Sequence, residues 1–508
     1  MRFAWDEFSK YGAPIERTSL HPYPSLPNMD ERTRALMEEH VRRGIPIARL
    51  KKDRERTNYY MSPGELMGYR YEFGQLMIGK LGQTFLGYAD DRPMMLIAGT
   101  RAGKTSTILE PNFYLYSGSM LVLDPKGELA QTASLRRLMG HVTHVLDPFG
   151  VHDGPSASFN PLAELDPQSP RIVGDVMAVA HALVPDVEGG GNAKHFNDSA
   201  RTLLAGLIFI TLTRPKRDRH LITVRELLCL TYGPLVTEGQ RAAAAMMASA
   251  SKHDKKRHFD MQAVLMGALL DNMKNLDAPF GRAAAGMSGR LGQTPPTERG
   301  SIFSTAAVHT DFLDSILLQR TLRHSDFKLA DLRGDRPTSI YLCLPVGQME
   351  SHSRWLRVVV QLACTVLESL GTYPRDRLPV LFVLEEFATL NMPFMERASS
   401  YFPGFGIRPL FVVQDITQLK KTYPQSWESF LGNSGLVQVF ANGDGQTLNY
   451  VAQRLGKLIT PWEFEQGFAR EHESQLLMIK GRPPAVASRL SHEDVARIRA
   501  RFANGLHL

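Results

Sequence analysis

A short apolar run that leads directly into a small-residue loop constrains the fold of this chain more than any other feature. The run Met94–Ala98 precedes Gly99-Thr100-Arg101-Ala102-Gly103-Lys104-Thr105, and a helical pattern follows over 106–116. Glycine permits the left-handed turns and the close backbone approach that a loop needs to surround a triphosphate with N–H groups. The order of strand, glycine-bearing loop and helix indicates a phosphate-binding loop.

Individual positions of this loop have predicted roles in holding ATP and Mg²⁺. Lys104 is placed to reach the β and γ phosphates, and the Thr105 hydroxyl is placed to bind the metal. Ala98 stands where the first glycine of G-x-x-x-x-G-K-[ST] is usual, and this small replacement leaves the motif recognisable. The predicted nucleotide-binding residues are Gly99, Thr100, Arg101, Ala102, Gly103, Lys104, Thr105, Ser106 and Asp124.

Two adjacent acids close a second buried run, over 378–384, and offer the carboxylates that phosphoryl transfer needs. We assign Glu385 to the metal side of the site and Glu386 as the catalytic base. Asp124 closes the similar run 119–123 and is a rival for the metal-side role. Spacing does not decide between the two acids.

Gln414 ends a further apolar run, 409–413, from which its amide can sense the γ-phosphate. The competing interpretation is a polar residue that merely caps a strand. The predicted catalytic residues are Lys104, Glu385, Glu386 and Gln414, and the predicted metal ligands are Thr105 and Glu385.

The length of 508 residues predicts more than one domain. Apolar runs alternate with helical patterns at both ends of the chain, which predicts an α/β fold with a parallel, doubly wound sheet. A long helix-rich stretch separates the two parts. We therefore predict a polar and helical segment over 1–67, a nucleotide-binding domain over 68–160 and 333–508, and an inserted all-α domain over 161–332.

Charge and cysteine content narrow the class of protein. The net charge of +7 suits a polyanionic partner but is equally compatible with a merely soluble protein. Three cysteines without C-x-x-C spacing argue against a disulfide framework or a zinc site. No apolar run reaches the roughly 18 residues of a membrane span, and no signal peptide is evident. We expect a soluble, cytoplasmic protein; if it works at a membrane, something else holds it there.

Several blocks occur in an order that resembles one known family. With the phosphate loop they are similar to the type IV coupling proteins of conjugation and type IV secretion, the TraG/TraD-like ATPases, over about 80–500. The blocks are Leu123-Asp124-Pro125-Lys126-Gly127-Glu128, Phe159-Asn160-Pro161-Leu162, Arg299-Gly300-Ser301-Ile302-Phe303-Ser304-Thr305, Leu384-Glu385-Glu386-Phe387, Gln414 with Gln418-Leu419, and 442–456.

This resemblance implies a RecA-like P-loop domain, an all-α domain and a hexameric ring that handles DNA or protein at the inner membrane by using ATP. It places Lys104 and Thr105 in the Walker A motif, Glu385 and Glu386 in the Walker B motif, and Gln414 as a sensor. Two departures are visible. Glu385 replaces the usual aspartate, which predicts slow or partner-dependent turnover, and the family's usual N-terminal membrane helices are not seen.

The sequence thus favours an ATPase that recruits a relaxase–DNA complex or a secreted protein substrate to a type IV secretion channel and energises its transfer. It would work as a homo-hexamer in contact with channel components. Two alternatives stay open: a substrate-docking receptor with a vestigial nucleotide site, and a cytoplasmic DNA translocase. The arginine that would act from a neighbouring subunit is left open among Arg397, Arg408 and Arg454.

Overall fold

The computed structural model describes residues 60–186, 191–249, 260–374, 376–456 and 459–503. Most of the predicted N-terminal segment over 1–67 lies outside the described residues. The chain forms two compact units. The first contains the described residues up to Thr143, Leu332–Tyr341, and those from Thr372 onward, and the second contains His144–Asp331 and Leu342–Gly371.

Eleven strands in the described part of the chain form one sheet. Numbered in chain order, they are β1 (Leu76–Leu81), β2 (Thr84–Tyr88), β3 (Met94–Ile97), β4 (Met120–Asp124), β5 (Val142–Leu146), β6 (Thr338–Cys343), β7 (Val380–Leu384), β8 (Ile407–Val413), β9 (Leu436–Val439), β10 (Ser474–Ile479) and β11 (Ala485–Ser488).

The strand order is β2-β1-β11-β10-β9-β3-β8-β7-β4-β6-β5. From β9 to β4 the paired strands run parallel. From β9 to β2 they alternate in direction. Every residue of β3, β4, β7 and β8 is buried, as expected for parallel strands covered on both faces. The predicted α/β fold with a parallel sheet is confirmed, with antiparallel strands added on one side.

The registers bring the carboxyl ends of the central strands together. Ile97 at the end of β3 is level with Val413 on β8 and Val439 on β9, while Leu384 at the end of β7 pairs with Leu123 on β4. Side chains that follow these positions therefore collect at one edge of the sheet, where ligands of open α/β sheets bind.

The helices of the described residues are also numbered in chain order. They are α1 (Pro63–Met67), α2 (Glu110–Leu115), α3 (Ala133–Leu138), α4 (Ile172–Leu183), α5 (Asn192–Thr213), α6 (Leu221–Leu228), α7 (Gly233–Ser249), α8 (Met261–Lys274), α9 (Gly281–Gln293), α10 (Pro296–Thr310), α11 (Ile316–Thr321), α12 (Met349–Ser369), α13 (Phe394–Ala398), α14 (Ile416–Thr422), α15 (Trp427–Asn433), α16 (Gly445–Arg454), α17 (Pro461–Gly467) and α18 (His492–Ala503).

The second unit is mainly helical and is organised around α5. Nearly the whole carboxyl-terminal half of this helix is buried, from Leu203 to Leu212, which is why the sequence there is apolar on all sides. It packs against α4, α6, α9 and α10, and α12 packs against α4. The unit also takes in 144–160 and Leu342–Gly371. The domain boundaries at 160/161 and 332/333 stay predictions.

No helix in the described ranges is both long enough and apolar enough to cross a membrane.

Candidate nucleotide site

The loop after β3 has the backbone shape of an anion-binding concavity. Arg101 has a φ of 60° and Gly103 a φ of 91°, so left-handed residues alternate along the loop and turn successive N–H groups inward. Gly103 adopts this conformation freely, whereas Arg101 is held there at a cost of about 1 kcal/mol or more. Ala98 still belongs to the buried sheet, since its N–H donates to the Val413 carbonyl at 3.0 Å.

The helix that follows the loop starts with one turn of π-helix, over Thr105–Leu109, and continues as α2. No side chain caps its first turn, so backbone N–H groups there are available to an anion. The Ser106 and Thr107 hydroxyls both donate to the Gly103 carbonyl, at 3.4 and 2.7 Å, and fix the junction of loop and helix.

Lys104 lies between the two acids that follow β7. Its Nζ is 3.0 Å from Oε1 of Glu386 and 3.4 Å from Oε1 of Glu385, and the lysine side chain is almost fully buried. The structure brings Lys104 to Glu385 and Glu386, which come 281 and 282 positions later in the chain, because β3 and β7 both flank β8. Three of the four predicted catalytic residues are thus in contact, and their catalytic roles stay predictions.

Glu386 is the centre of a hydrogen-bond network. It has a φ of 55°, a left-handed conformation that non-glycine residues adopt at a cost, and it accepts from Lys104 and from Nε2 of Gln414 at 2.9 Å. Oε1 of Gln414 accepts in turn from the Thr100 hydroxyl and from Nε2 of Gln418, both at 3.3 Å. Gln414 is therefore tied to both the phosphate loop and the proposed base.

Two buried carboxylates end β4 and follow β7: Glu385 lies beside Lys104, and Asp124 is close enough to Glu385 to affect its pKa. Burial raises the pKa of Glu385 to about 6, against the opposing effect of Lys104, and the nearby charge of Asp124 raises it further. Burial also raises the pKa of Asp124 to about 6, although the Ala130 N–H donates to it at 2.7 Å. One oxygen of each carboxylate has no hydrogen-bond partner. Carboxylate oxygens are the ligands that hydrated Mg²⁺ prefers, which fits the predicted metal side of the site.

Glu385 and Asp124 both remain candidates for the metal side, because each carboxylate is buried and has one oxygen without a hydrogen bond, although that oxygen of Glu385 forms an ion pair with Lys104.

A cavity of about 490 Å³ opens beside the loop at the tips of β3, β8 and β9. Its volume suits a nucleoside-sized group. Its far wall consists of residues from α17 and the turn after it. No sequence motif indicated this wall. The lining residues are Gly99, Thr100, Gln414, Asp415, Ala441, Asn442, Gly443, Asp444, Glu465, Gln466, Ala469 and Glu471.

Asn442 is a further contributor, whose individual role the sequence did not indicate. Its Nδ2 donates to the backbone carbonyl of Gln414 at 2.6 Å and holds the tip of β8 against the loop after β9. Its position directly after an apolar run, like that of Gln414, is the signal that could have identified it.

The structure removes one of the three candidate arginines. Arg408 lies at the amino end of β8, opposite the site, and is 2% exposed. Its Nη2 donates to the Tyr88 carbonyl at 3.0 Å, so the side chain is committed to the interior and cannot reach a neighbouring subunit. Arg397 and Arg454 are exposed.

An anion-binding loop after a buried strand, a lysine between two acids and a glutamine on the adjacent strand tip define the nucleotide site of a P-loop protein with a RecA-like domain. The family model described as "Type IV secretory system Conjugative DNA transfer" matches residues 49–467, and the chain belongs to this family. The predicted resemblance to coupling proteins is thereby confirmed.

Curated relatives agree with this assignment. Protein VirD4 of Rhizobium rhizogenes is 22% identical over 475 residues, which cover 86% of this chain and 64% of the relative. The conjugal transfer protein TraG of Escherichia coli is 26% identical over 349 residues, which cover 66% of this chain and 50% of TraG. The chain therefore spans about half to just under two thirds of the length of these relatives.

Solved structures share the fold. The plasmid coupling protein TrwB in complex with ADP and Mg²⁺ matches with a TM-score of 0.60 and 14% identity, over 85% of this chain and 93% of TrwB. A trigonal form of TrwBdeltaN70 in complex with sulphate matches with a TM-score of 0.59, also at 14% identity, over 85% of this chain and 93% of that chain.

Proposed function

We propose that this chain is an ATPase that couples ATP hydrolysis to the transfer of a DNA–protein complex or a protein substrate through a type IV secretion channel. The observation that carries the proposal is the network in which Glu386 bonds both Lys104 and Gln414. Membership in the conjugative DNA transfer family supports the biological setting, and the complex of TrwB with ADP and Mg²⁺ supports nucleotide and metal as ligands of such a site.

Each residue of the site has a task that fits its position. The loop N–H groups bind the phosphates, and Lys104 exchanges its carboxylate partners for β- and γ-phosphate oxygens. Glu386 then orients the attacking water and accepts its proton, while Gln414 keeps the carboxylate in place. Thr105 and Glu385, with Asp124 nearby, would hold Mg²⁺, which neutralises charge that develops on the phosphates.

The assembly that we propose is a homo-hexamer in which a neighbouring subunit supplies an arginine to each site. The exposed Arg397 and Arg454 are the remaining candidates. The net charge of +7 is compatible with DNA as a partner. The setting that we propose is the cytoplasmic face of the inner membrane, with contacts to channel components and attachment through a partner.

A second candidate is a docking receptor whose nucleotide site no longer turns over. It is favoured by the glutamate at position 385, whose buried carboxyl has a pKa raised to about 6 by burial and is only partly committed to Lys104. Such a receptor would bind cargo equally well with and without nucleotide.

The test is ATP turnover with and without DNA, with the native mass recorded on the same samples. The samples are the wild type, Lys104→Ala, and Lys480→Ala as a control that removes one exposed lysine elsewhere. We expect DNA-stimulated turnover in a ring-sized assembly for the wild type and the control, and none for Lys104→Ala. Turnover that survives Lys104→Ala would end the proposal, and nucleotide binding without turnover would favour the receptor.

A further inference from the structure

A buried arginine from the carboxyl-terminal part of the chain lies behind the phosphate loop. Arg489 directly follows β11 and is 2% exposed. Its Nη1 donates to the Ala102 carbonyl within the loop. Its Nη2 donates to the carbonyls of Ala469 and Arg470, at 3.4 and 3.0 Å. The guanidinium carbon lies 4.8 Å from the centroid of the Phe440 ring.

The bond to Ala102 acts on a peptide unit of the predicted phosphate loop. The carbonyl of Ala102 and the N–H of Gly103 belong to the same peptide, and a Cβ on Gly103 would lie 3.6 Å from Nη1 of Arg489. A cation bonded to the oxygen of a peptide polarises that peptide and makes its N–H a stronger donor. The same bond holds the loop backbone in the left-handed shape that Gly103 requires.

The charge of this guanidinium is not cancelled by direct contact. In the described part of the chain, the hydrogen-bond acceptors found for it are backbone carbonyls, and its Nε is buried without a partner. Burial lowers the pKa of Arg489 to about 10, so the group keeps its proton at neutral pH. A buried cation in weakly polar surroundings attracts a nearby anion more strongly than an exposed one does.

We propose that Arg489 is a positioning residue for the phosphate loop, through which the carboxyl-terminal hairpin of β10 and β11 becomes part of the phosphate site. The inference rests on the proposed function, since it assumes that the loop binds nucleotide. It extends that function to a segment far from the Walker motifs in sequence. Because Ala469 also lines the cavity beside the loop, Arg489 connects the cavity wall with the phosphate-binding backbone.

Arg408 provides a matched control, because the two arginines are built alike. Each is 2% exposed, donates to backbone carbonyl oxygen, lies over an aromatic ring and has a buried Nε without a partner. They differ in position, since Arg408 is at the amino end of β8 and Arg489 contacts the loop. A general effect of removing a buried arginine will appear in variants of both Arg408 and Arg489. An effect on phosphate binding will appear only in variants of Arg489.

The experiment measures ADP and ATP affinity by calorimetry, KM and kcat for ATP, and thermal unfolding on the full chain. The variants are Arg489→Met, Arg489→Gln, Arg489→Lys and Arg408→Met. We expect both methionine variants to unfold at lower temperature. Only Arg489→Met and Arg489→Gln should bind ADP and ATP about tenfold more weakly, the effect of losing a charge-assisted interaction. KM should rise while kcat changes little, because ground and transition state lose the same interaction.

Arg489→Lys should recover part of the affinity, since it keeps the charge but loses the fork that reaches three carbonyls. If a folded Arg489→Met or Arg489→Gln variant binds ADP and ATP as tightly as the wild type, the inference is overturned and Arg489 has a structural role only. An equal loss of affinity in Arg408→Met overturns it as well. If Arg489→Met does not fold, Arg489→Gln, which keeps a donor for Ala102, decides. Absence of ADP and ATP binding in the wild type would instead overturn the proposed function.

Discussion

A buried arginine at the amino ends of the central strands and two buried carboxylates at their carboxyl ends differ in how completely they are hydrogen-bonded. At the amino ends, Arg136 is fully buried and all its nitrogens are bonded: to the Ser339 hydroxyl, to His141 and to the carbonyls of Phe113, Tyr116 and Gly118. At the carboxyl ends, Glu385 and Asp124 are equally buried, yet each keeps an oxygen without a hydrogen-bond partner.

Arg408 at the amino end also keeps a buried Nε without a partner, so the carboxyl edge is distinguished by incompletely bonded carboxylates, one of which contacts Lys104 of the phosphate loop. A buried polar group that is fully bonded contributes to stability and to a unique fold. Incompletely bonded polar groups lower stability, and so do left-handed residues such as Arg101 and Glu386. Both features are common at sites where a ligand supplies the missing contacts. Substitutions at the two edges should therefore affect different measurements.

The largest effect is expected for Glu386→Gln at the carboxyl edge. Loss of the general base should lower kcat about 10³-fold. ATP binding should be retained or become tighter, since Lys104 loses one competing carboxylate. Single-turnover kinetics and equilibrium binding on the same protein check this. Glu396→Gln, in α13 close in sequence, is the matched control and should turn over ATP at the wild-type rate. A normal kcat in Glu386→Gln would contradict the assignment of a catalytic role to the carboxyl edge of the sheet.

At the amino edge, Arg136→Met should act on stability alone. Five acceptors lose a donor, so we expect the free energy of unfolding to fall by about 3 kcal/mol, as for other buried polar networks that lose one member. Urea unfolding measures this loss. ATP affinity at a temperature where the variant is folded should equal that of the wild type. A loss of ATP affinity in folded Arg136→Met would contradict the distinction between the two edges.

The two raised carboxyl pKa values predict a pH dependence from the carboxyl edge. Burial raises the pKa of Asp124 and of Glu385 to about 6, above the ordinary values of 3.8 and 4.5. The folded state thus binds more protons than the unfolded state between about pH 4 and 6. The stability that these groups contribute at low pH is lost as the pH rises through about 6.

Asp124→Asn should remove part of this dependence. Between about pH 4.5 and 7 the wild type should lose about 2 kcal/mol relative to the variant. Urea unfolding across this range, without nucleotide, gives the difference. Parallel profiles for the two proteins would mean that Asp124 is already ionised at low pH in the folded state.

The smallest effect is expected for Gln418→Ala. Its 3.3 Å bond to Oε1 of Gln414 orients the amide so that Nε2 faces Glu386. Loss of one such bond corresponds to about 0.6 kcal/mol, or about threefold in kcat. Lys421→Ala, exposed on the same helix, is the control. An unchanged kcat would show that Gln414 keeps its orientation through Thr100 alone.

The sequence by itself determined the local part of this protein. The apolar run before Gly99 and the glycine at 103 predict the phosphate loop. An apolar run favours a buried strand, and a glycine allows a left-handed backbone, so both signals come from residues in or next to the loop. The runs that end at Glu385 and Gln414 predict two strand tips for the same reason. The parallel α/β fold and the family follow from the order of these blocks.

Only the tertiary structure decided which distant groups meet. Arg408 directly precedes the apolar run 409–413, and only the structure shows that its side chain is buried and bonded to the Tyr88 carbonyl. Arg489 lies 387 positions after Ala102, the loop residue that it contacts, and nothing in its own segment signals a phosphate site. Hydrophobic patterning fixes local conformation, but pairings between remote residues arise from packing, which no local pattern records.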